Sequence, residues 1–183
     1  MASRKKAVAV AAVESEEIAP VQAEPEAETK KLVPKDVDQN TIIPVINGFP
    51  GRLVYVSKRS GESFVWEQFG DEQDMELKEL RNVKSAAKTF FINGWMTFSN
   101  EYAWVINYLG LEQYYKHALK PDEFEDIFQK SPSEVKRIVA QLSAGQKQSV
   151  AYMAREKVIS GEIDSRKVIQ AFEDSLGVEL IER

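Results

Sequence analysis

The chain has 183 residues, of which 43% are hydrophobic, so it is long enough for one ordinary domain, or for a small domain with a helical annex and a tail. It has no cysteine and one histidine, His117, which excludes disulfide scaffolds, thiolate zinc sites, histidine-rich metal sites and cysteine nucleophiles. A net charge of -5 argues against a general role in coating nucleic acid but leaves a local basic patch open, and no apolar run approaches the roughly 20 residues that cross a bilayer.

Residues 1–38 form a low-complexity arm of Ala, Val, Glu, Lys and Pro without aromatic residues. Such a segment cannot bury enough apolar surface to offset the entropy of ordering, so we predict that the arm is disordered when free. The basic residues at 4–6 and the apolar residues at 7–13 superficially resemble a secretory leader, but the apolar run is short and Glu14 follows at once. The alternatives are a solvated tether and an interaction arm that orders on a partner.

A small α+β domain is predicted over residues 39–119. It begins with a short strand at residues 41–46, which Pro44 confines to an edge or a bulge. Residues 52–69 alternate β-branched and aromatic residues on both sides of a polar Lys-Arg-Ser-Gly break, which predicts a β-hairpin with its tip at Lys58 and Arg59. Because side chains along a strand alternate between faces, Leu53 and Tyr55 share one face, as do Phe64 and Trp66. A two-stranded sheet is only marginally stable alone, so another element must cover it.

The predicted cover is a set of aromatic-rich helices after the hairpin. The first is capped by Asp71 or Asp74, and its apolar stripe consists of Met75, Leu77, Leu80 and Val83. An apolar loop or short strand follows at residues 89–96, with a turn at Asn93-Gly94. A helix is then predicted from the cap Ser99 to Gly110, with apolar side chains around much of its surface, followed by a short helix at residues 111–119.

Residues 120–183 are predicted to form a C-terminal helical bundle, because amphipathic segments are separated by very short turns. Pro121 can start a short helix containing Phe124. Capping boxes at residues 131–134 and 143–146 open the next two helices, the second of which is the longest. Asp164 or Ser165 caps the last helix, which ends at Gly177.

No residue of the sequence is predicted to be catalytic, to bind a cofactor or to ligate a metal. The glycines at 48–51 lack the Lys-Ser/Thr ending of a phosphate loop and precede a strand. The acidic residues Glu67, Asp71, Glu72, Asp74 and Glu76 do not have the spacing of a calcium loop and fit the start of a helix. His117 lacks the partners that a metal site or a catalytic triad needs, which favours a surface or packing role.

Two sets of residues are candidates for binding a partner. Trp104, Tyr108 and Tyr115 are predicted at a subunit contact, because aromatic residues dominate interface hot spots, while other aromatic residues of the same segment fill the core. Lys58 and Arg59 at the hairpin tip are the second set. An alternative function is nucleic-acid binding by an accessory protein. It would use Arg52, Lys58 and Arg59 for phosphate and the rings of Tyr55, Phe64 and Trp66 for stacking.

Several short patterns also resemble uncharacterised structural proteins of tailed bacteriophages and prophages. They are Gly51-x-Leu53-x-Tyr55-x-Ser57, Gly61, Trp66, Phe69-Gly70-Asp71, Met75, Glu79-Leu80, Tyr108-Leu109-Gly110, Tyr114-Tyr115-Lys116, Ser131-Pro132 and Gly145-Gln146-Lys147. The resemblance implies a non-enzymatic virion component or assembly protein, whether in the capsid, neck or tail, that contacts other virion proteins or copies of itself. Its location would be the virion if a phage encodes it and the host cytoplasm otherwise.

Overall fold

The computed structural model describes residues 37–121 and 123–181, all within one compact unit. Within these two ranges the strands are β1 (Ile42–Asn47), β2 (Leu53–Val56), β3 (Ser63–Trp66), β4 (Glu72–Glu76) and β5 (Met96–Thr97). The helices are α1 (Leu77–Ala86), α2 (Thr89–Ile92), α3 (Trp104–Tyr108), α4 (Glu112–Tyr115), α5 (Glu123–Asp126), α6 (Pro132–Gln141), α7 (Ala144–Ile159) and α8 (Arg166–Leu176). Short 3-10 turns lie at Asn100–Tyr102 and Ile127–Gln129. The predicted α+β class is confirmed, while the predicted arm lies outside the described residues up to position 36.

The strands form two separate antiparallel sheets. In the larger one the order is β4-β1-β5, and β1 pairs with β5 only at Ile46 and Asn47. Pro44 therefore has a hydrogen-bonded strand on one side only, where it lies opposite Asp74. The prediction that Pro44 confines this strand to an edge is wrong, because β1 is the central strand of the sheet. The proline is tolerated because β5 pairs with β1 only beyond it, at Ile46 and Asn47.

The predicted hairpin is confirmed as the second sheet, in which β2 pairs with β3 in the register that places Leu53 opposite Trp66. Leu53 and Tyr55 on one strand and Phe64 and Trp66 on the other are buried. The residues between them along both strands are exposed or half-buried. The hairpin thus has one inner and one outer face, as alternation requires.

The segment around Asp74 was predicted to start a helix, and that prediction is wrong. Residues Glu72–Glu76 are the edge strand β4, and α1 begins only at Leu77, with Glu76 as an N-cap residue whose side chain makes no capping bond. Asp71 instead accepts hydrogen bonds from the backbone N–H groups of Glu67 and Gln68 at 2.9 and 3.0 Å. Pairing with β1 satisfies the backbone of this polar segment, which local capping signals do not anticipate.

A first hydrophobic cluster joins both sheets to α1 and the short helices after it. Its large, fully buried members are Trp66, Phe91, Ile43, Met75, Leu77, Leu80, Met96 and Leu111. The predicted continuous helix from Ser99 to Gly110 is divided into a 3-10 turn and α3, and Ser99 makes no side-chain capping bond. Aromatic side chains around this segment pack in several directions, which short helical pieces permit.

The C-terminal helices surround a second hydrophobic cluster, in which Phe124 and Phe172 are fully buried. The capping box that opens α6 is confirmed, because Ser131 accepts from the N–H of Glu134 and the Glu134 carboxylate accepts from the N–H of Ser131. At α7 only half of the predicted box forms. Ser143 accepts from the N–H of Gln146, but the buried Gln146 side chain bonds both backbone groups of Leu119 instead. As predicted, α7 is the longest described helix, and α8 ends at Gly177 in the left-handed conformation.

The first turns of α7 dock closely on loops of the α/β part. Ser149 donates to the carbonyl of Gly48 at 2.8 Å, and Ser143 donates to the carbonyl of Asn93 at 3.1 Å. Gly145 lies so close to Asn93 that a Cβ atom on the glycine would be 2.3 Å from the Cβ of Asn93. Small residues therefore permit the backbone approach that joins the C-terminal helices to the rest of the unit.

None of the helices in residues 37–121 and 123–181 combines the length and apolar character needed to cross a membrane.

Candidate partner-binding surface

The inner face of the hairpin anchors it to the larger sheet. The Trp66 side chain is fully buried, and its indole N–H donates to the carbonyl of Val45 at 2.8 Å. The ring of Tyr55 lies 6.0 Å from that of Phe64 and 5.8 Å from that of Phe90, measured between ring centres. These contacts anchor the hairpin to the larger sheet and to α2.

A buried carboxylate also ties the hairpin to α1. The hydroxyl of Tyr55 donates to Glu79 at 2.7 Å, and the amide of Asn82 donates to its other oxygen at 3.1 Å. Burial raises the pKa of this carboxyl, but hydrogen bonds from Tyr55, Ser57 and Asn82 outweigh it, so the pKa lies below the ordinary value of 4.5. Burial and the hydrogen bond to Glu79 raise the pKa of Tyr55, which therefore stays protonated as a donor. The network stabilises the hairpin in the charged form of Glu79.

We expect Glu79→Gln to lower the free energy of unfolding by about 2 kcal/mol at pH 7, because charge-assisted hydrogen bonds become neutral ones. Since folding lowers the pKa of Glu79, its stabilisation is complete above pH 4.5 and is lost as pH falls through the folded-state pKa. The difference between the two proteins should therefore shrink in that range. Urea unfolding at pH 7, 5, 4 and 3 measures it, with exposed Glu62→Gln as the control that changes stability by less than about 0.5 kcal/mol. An equal difference at pH 7 and pH 3 would contradict the role of the charge.

The tip of the hairpin is built by Ser57, whose side chain is buried. Its hydroxyl accepts from the N–H groups of Arg59 and Ser60 at 3.2 and 3.1 Å, while its carbonyl accepts from Gly61 at 2.9 Å. Gly61 has φ +74°, which glycine adopts without strain. These bonds hold the backbone of the turn and leave the side chains of Lys58 and Arg59 exposed, at the predicted tip.

The outer face of β2 carries two exposed valines between basic residues. Val54 and Val56 are 41% and 53% exposed, and they are two positions apart, so they lie on the same face. Arg52 precedes them with the same spacing and pairs with Glu67 across the hairpin at 3.2 Å, and Lys58 follows at the start of the turn. We call Arg52, Val54, Val56 and Lys58 the outer row.

The backbone edge of β2 is open on the side away from β3. Ser57 donates to the carbonyl of Glu62, and hydrogen-bonded pairs alternate along an antiparallel ladder, so Tyr55 pairs inward with Phe64. The N–H and C=O groups of Val54 and Val56 must then point away from β3. In the part of the chain that the structure describes, β3 is the only strand paired with β2, and these four groups have no hydrogen-bond partner.

The aromatic candidates are less available than the tip. Trp104 and Tyr108 are half-buried in an edge-to-face pair at 6.1 Å, and the Tyr108 hydroxyl accepts from the side chain of Gln39 at 2.7 Å. Gln39 in turn accepts from Arg81. The hydroxyl of Tyr115 donates to the carbonyl of Met96, and burial raises its pKa. The half-buried Tyr115 thus has its polar group bonded within the chain, and its contact with another subunit stays a prediction.

The rings proposed for nucleic-acid stacking face inward. Tyr55 and Phe64 are buried and Trp66 is fully buried, so the hairpin does not present them to bases. Arg52 is exposed but pairs with Glu67, and Lys58 and Arg59 are exposed at the tip. The exposed basic side chains could therefore still contact phosphate, but the hairpin offers no exposed ring for base stacking.

The remaining polar candidates are dispersed. His117 is exposed beside a cleft of about 350 Å³ between α4, the end of α6 and the start of α7. Glu72 and Asp74 alternate along the outer face of β4. Among residues 37–121 and 123–181, no three histidine or carboxylate side chains are grouped closely enough to hold a metal ion.

Sequence reasoning missed two polar residues that shape the surface from within. The amide of the fully buried Asn47 donates to the carbonyls of Gly51 and Gln68, both at 2.8 Å, and so joins the two ends of the hairpin. Glu79 was assigned no role, although it holds Tyr55. A glutamate between apolar helix positions, as in Leu77-Lys78-Glu79-Leu80, is the signal that could have indicated a buried carboxylate.

No protein-family model, curated protein or solved structure matches this chain.

Proposed function

We propose that the chain is a non-enzymatic interaction protein that binds another protein through the outer surface of its hairpin. The observation that carries the proposal is the combination of a buried, hydrogen-bonded inner face with an exposed outer row. Trp66, Tyr55 and Glu79 anchor the inner face, whereas Val54 and Val56 remain exposed with unpaired backbone groups. Exposed apolar side chains on an open strand edge are unfavourable for an isolated protein and are typical of binding surfaces.

We propose from the sequence patterns that this binding takes place in a bacteriophage particle or during its assembly. The resemblance to structural proteins of tailed bacteriophages and prophages supports a virion component or assembly factor, with other virion proteins as partners. The hairpin and its tip contain several of the resembling residues, among them Leu53, Tyr55, Ser57 and Gly61. A role in the capsid, neck or tail agrees with an interaction protein of this size.

Mass spectrometry tests the location. It compares purified particles, produced from the genome that encodes the chain, with the lysate of the cells that produced them. We expect the chain in particles at a constant ratio to the known subunits. Presence in the lysate with absence from particles would overturn the virion role and identify a transient assembly factor. Absence of any association with particle proteins or their precursors would overturn both.

Site-specific photo-crosslinking tests the surface. A benzophenone amino acid replaces Val54, and the matched control carries it at Tyr152, which is a similarly exposed apolar position on α7. We expect the probe at Val54 to give one dominant cross-linked protein that the probe at Tyr152 does not give. Equal products from both positions, or none from Val54, would show that the hairpin is not the binding surface.

A further inference from the structure

From the outer row and the open edge of β2, we infer how the partner binds: an extended segment of another protein adds to β2 as an antiparallel strand. This rests on the proposed function and specifies its ligand. The segment carries two carboxylates six residues apart, with apolar residues two and four positions after the first carboxylate. Its chemistry follows from the backbone and the side chains of β2 separately.

The backbone supplies the affinity. Val54 and Val56 direct two N–H and two C=O groups away from β3, and those groups have no partner among the described residues. A strand that pairs with both valines satisfies all four groups, as in peptide recognition by addition to a sheet edge. The hairpin needs no rearrangement, because Ser57 and Tyr55 already hold it from the other side.

The side chains supply the specificity. In the outer row Val54 and Val56 lie within β2, Arg52 directly precedes the strand, and Lys58 begins the turn after it, so two apolar positions lie between two basic ones. Residues directly opposite each other in adjacent strands are about 5 Å apart and interact most strongly when they are apolar pairs or opposite charges. The complementary segment is therefore acidic, apolar, apolar and acidic at alternate positions, so that its carboxylates face Arg52 and Lys58.

A second copy of the chain complements this edge less well than an acidic segment does. If two β2 strands paired so that Val54 of one lay opposite Val56 of the other, Arg52 would lie opposite Lys58 at both ends. Like charges in directly opposite positions are destabilising. The first 36 residues of the chain also lack the pattern, because no two of their carboxylates are six positions apart. Charge complementarity therefore favours a segment of a different protein as the occupant, and a dimer through β2 is an outcome of the test.

The direct test is a titration of the 15N-labelled full chain with the synthetic peptide TETVTVTET, followed by NMR. We expect the amide signals of Val54 and Val56 to move most and their hydrogen exchange to slow at least tenfold at saturation. Two control peptides define the two contributions. Methylation of the two valine nitrogens should abolish the shifts, and exchange of both glutamates for lysine should weaken binding at least fivefold.

A matched pair of variants tests the same edge from the protein side. Val56→Pro removes an outward N–H from β2, whereas Val65→Pro removes one from the opposite edge of the hairpin, and neither N–H bonds within the hairpin. We expect Val56→Pro to weaken peptide binding at least tenfold and Val65→Pro to leave it within twofold. If Val56→Pro does not fold, Lys58→Glu replaces it. In the matching peptide, the glutamate that faces position 58 is exchanged for lysine. We expect Lys58→Glu to bind this peptide more tightly than it binds the original peptide.

Three results would overturn the inference. They are unchanged amide signals of Val54 and Val56 at millimolar peptide, equal binding of the methylated peptide, and a dimer of the chain that Val56→Pro dissociates. Failure of the proposed function itself looks different, since photo-crosslinking from Val54 would then give no dominant product. A cross-link from Val54 that persists in Val56→Pro would keep the surface but refute strand addition.

Discussion

Trp66→Ala is expected to lower the free energy of unfolding by about 4 kcal/mol, the largest effect of any change discussed for this chain. The side chain is fully buried, its ring belongs to the first hydrophobic cluster, and its N–H donates to Val45. Truncation leaves a cavity that the surrounding strands cannot close and an unpaired carbonyl. Urea or thermal unfolding measures the change, and the melting temperature should fall by about 8–16 °C.

Two comparison variants identify the cause. Trp66→Phe keeps most of the packing and removes the hydrogen bond, so we expect a loss of about 1–2 kcal/mol. Trp104→Ala removes a half-buried ring that packs on Tyr108 and should cost less than half as much as Trp66→Ala. If Trp66→Ala changed stability by less than about 1 kcal/mol, the inner face of the hairpin could not be its anchor.

Gly145→Ala is expected to lower the free energy of unfolding by about 3 kcal/mol, although alanine is the better helix former by about 1 kcal/mol. A Cβ atom at this position would be 2.5 Å from the carbonyl oxygen of Asn93 and 2.8 Å from the indole nitrogen of Trp95. Backbone atoms cannot move aside as a flexible side chain can, so α7 must shift away from the loop. Such a shift would also stretch the bond from Ser149 to Gly48.

The control is the preceding residue, Ala144, which is exposed on the same helical turn. Ala144→Leu adds a larger side chain but should change stability by less than about 0.5 kcal/mol, because the open cleft that Ala144 lines has room for the added atoms. Thermal unfolding of both variants compares them directly. Equal stability of Gly145→Ala and the unchanged chain would mean that α7 does not approach the α/β part as closely as the structure places it.

Local signals were enough for parts of the fold. The hairpin followed from alternation around a glycine-containing turn, and the start of α6 followed from Ser131, Pro132 and Glu134. These features depend on neighbours within a few residues, so the sequence contains their causes. The segment Glu72–Glu76 was mispredicted because its pairing partner, β1, lies about 30 residues earlier in the chain.

The candidate surface was predicted only in outline. Alternation indicated that the hairpin has two faces and that Lys58 and Arg59 lie at its tip. The same rings, Tyr55 and Trp66, were compatible with an exposed stacking platform and with a buried core, since both need aromatic residues. Packing against β1 and α1 buries these rings in the core and leaves Val54 and Val56 exposed on the other face.

The sequence by itself determined the α+β class, the hairpin with its basic tip, and the capped helices of the C-terminal part. Periodicity, turn residues and caps act over short distances and therefore leave a readable pattern. Only the tertiary structure decided which hairpin face is buried, which strand edge stays open, and that Glu79 and Gln146 are buried and bonded at long range. Those outcomes depend on which distant segments pack together, because a polar group can be buried only where a partner from elsewhere in the chain satisfies it.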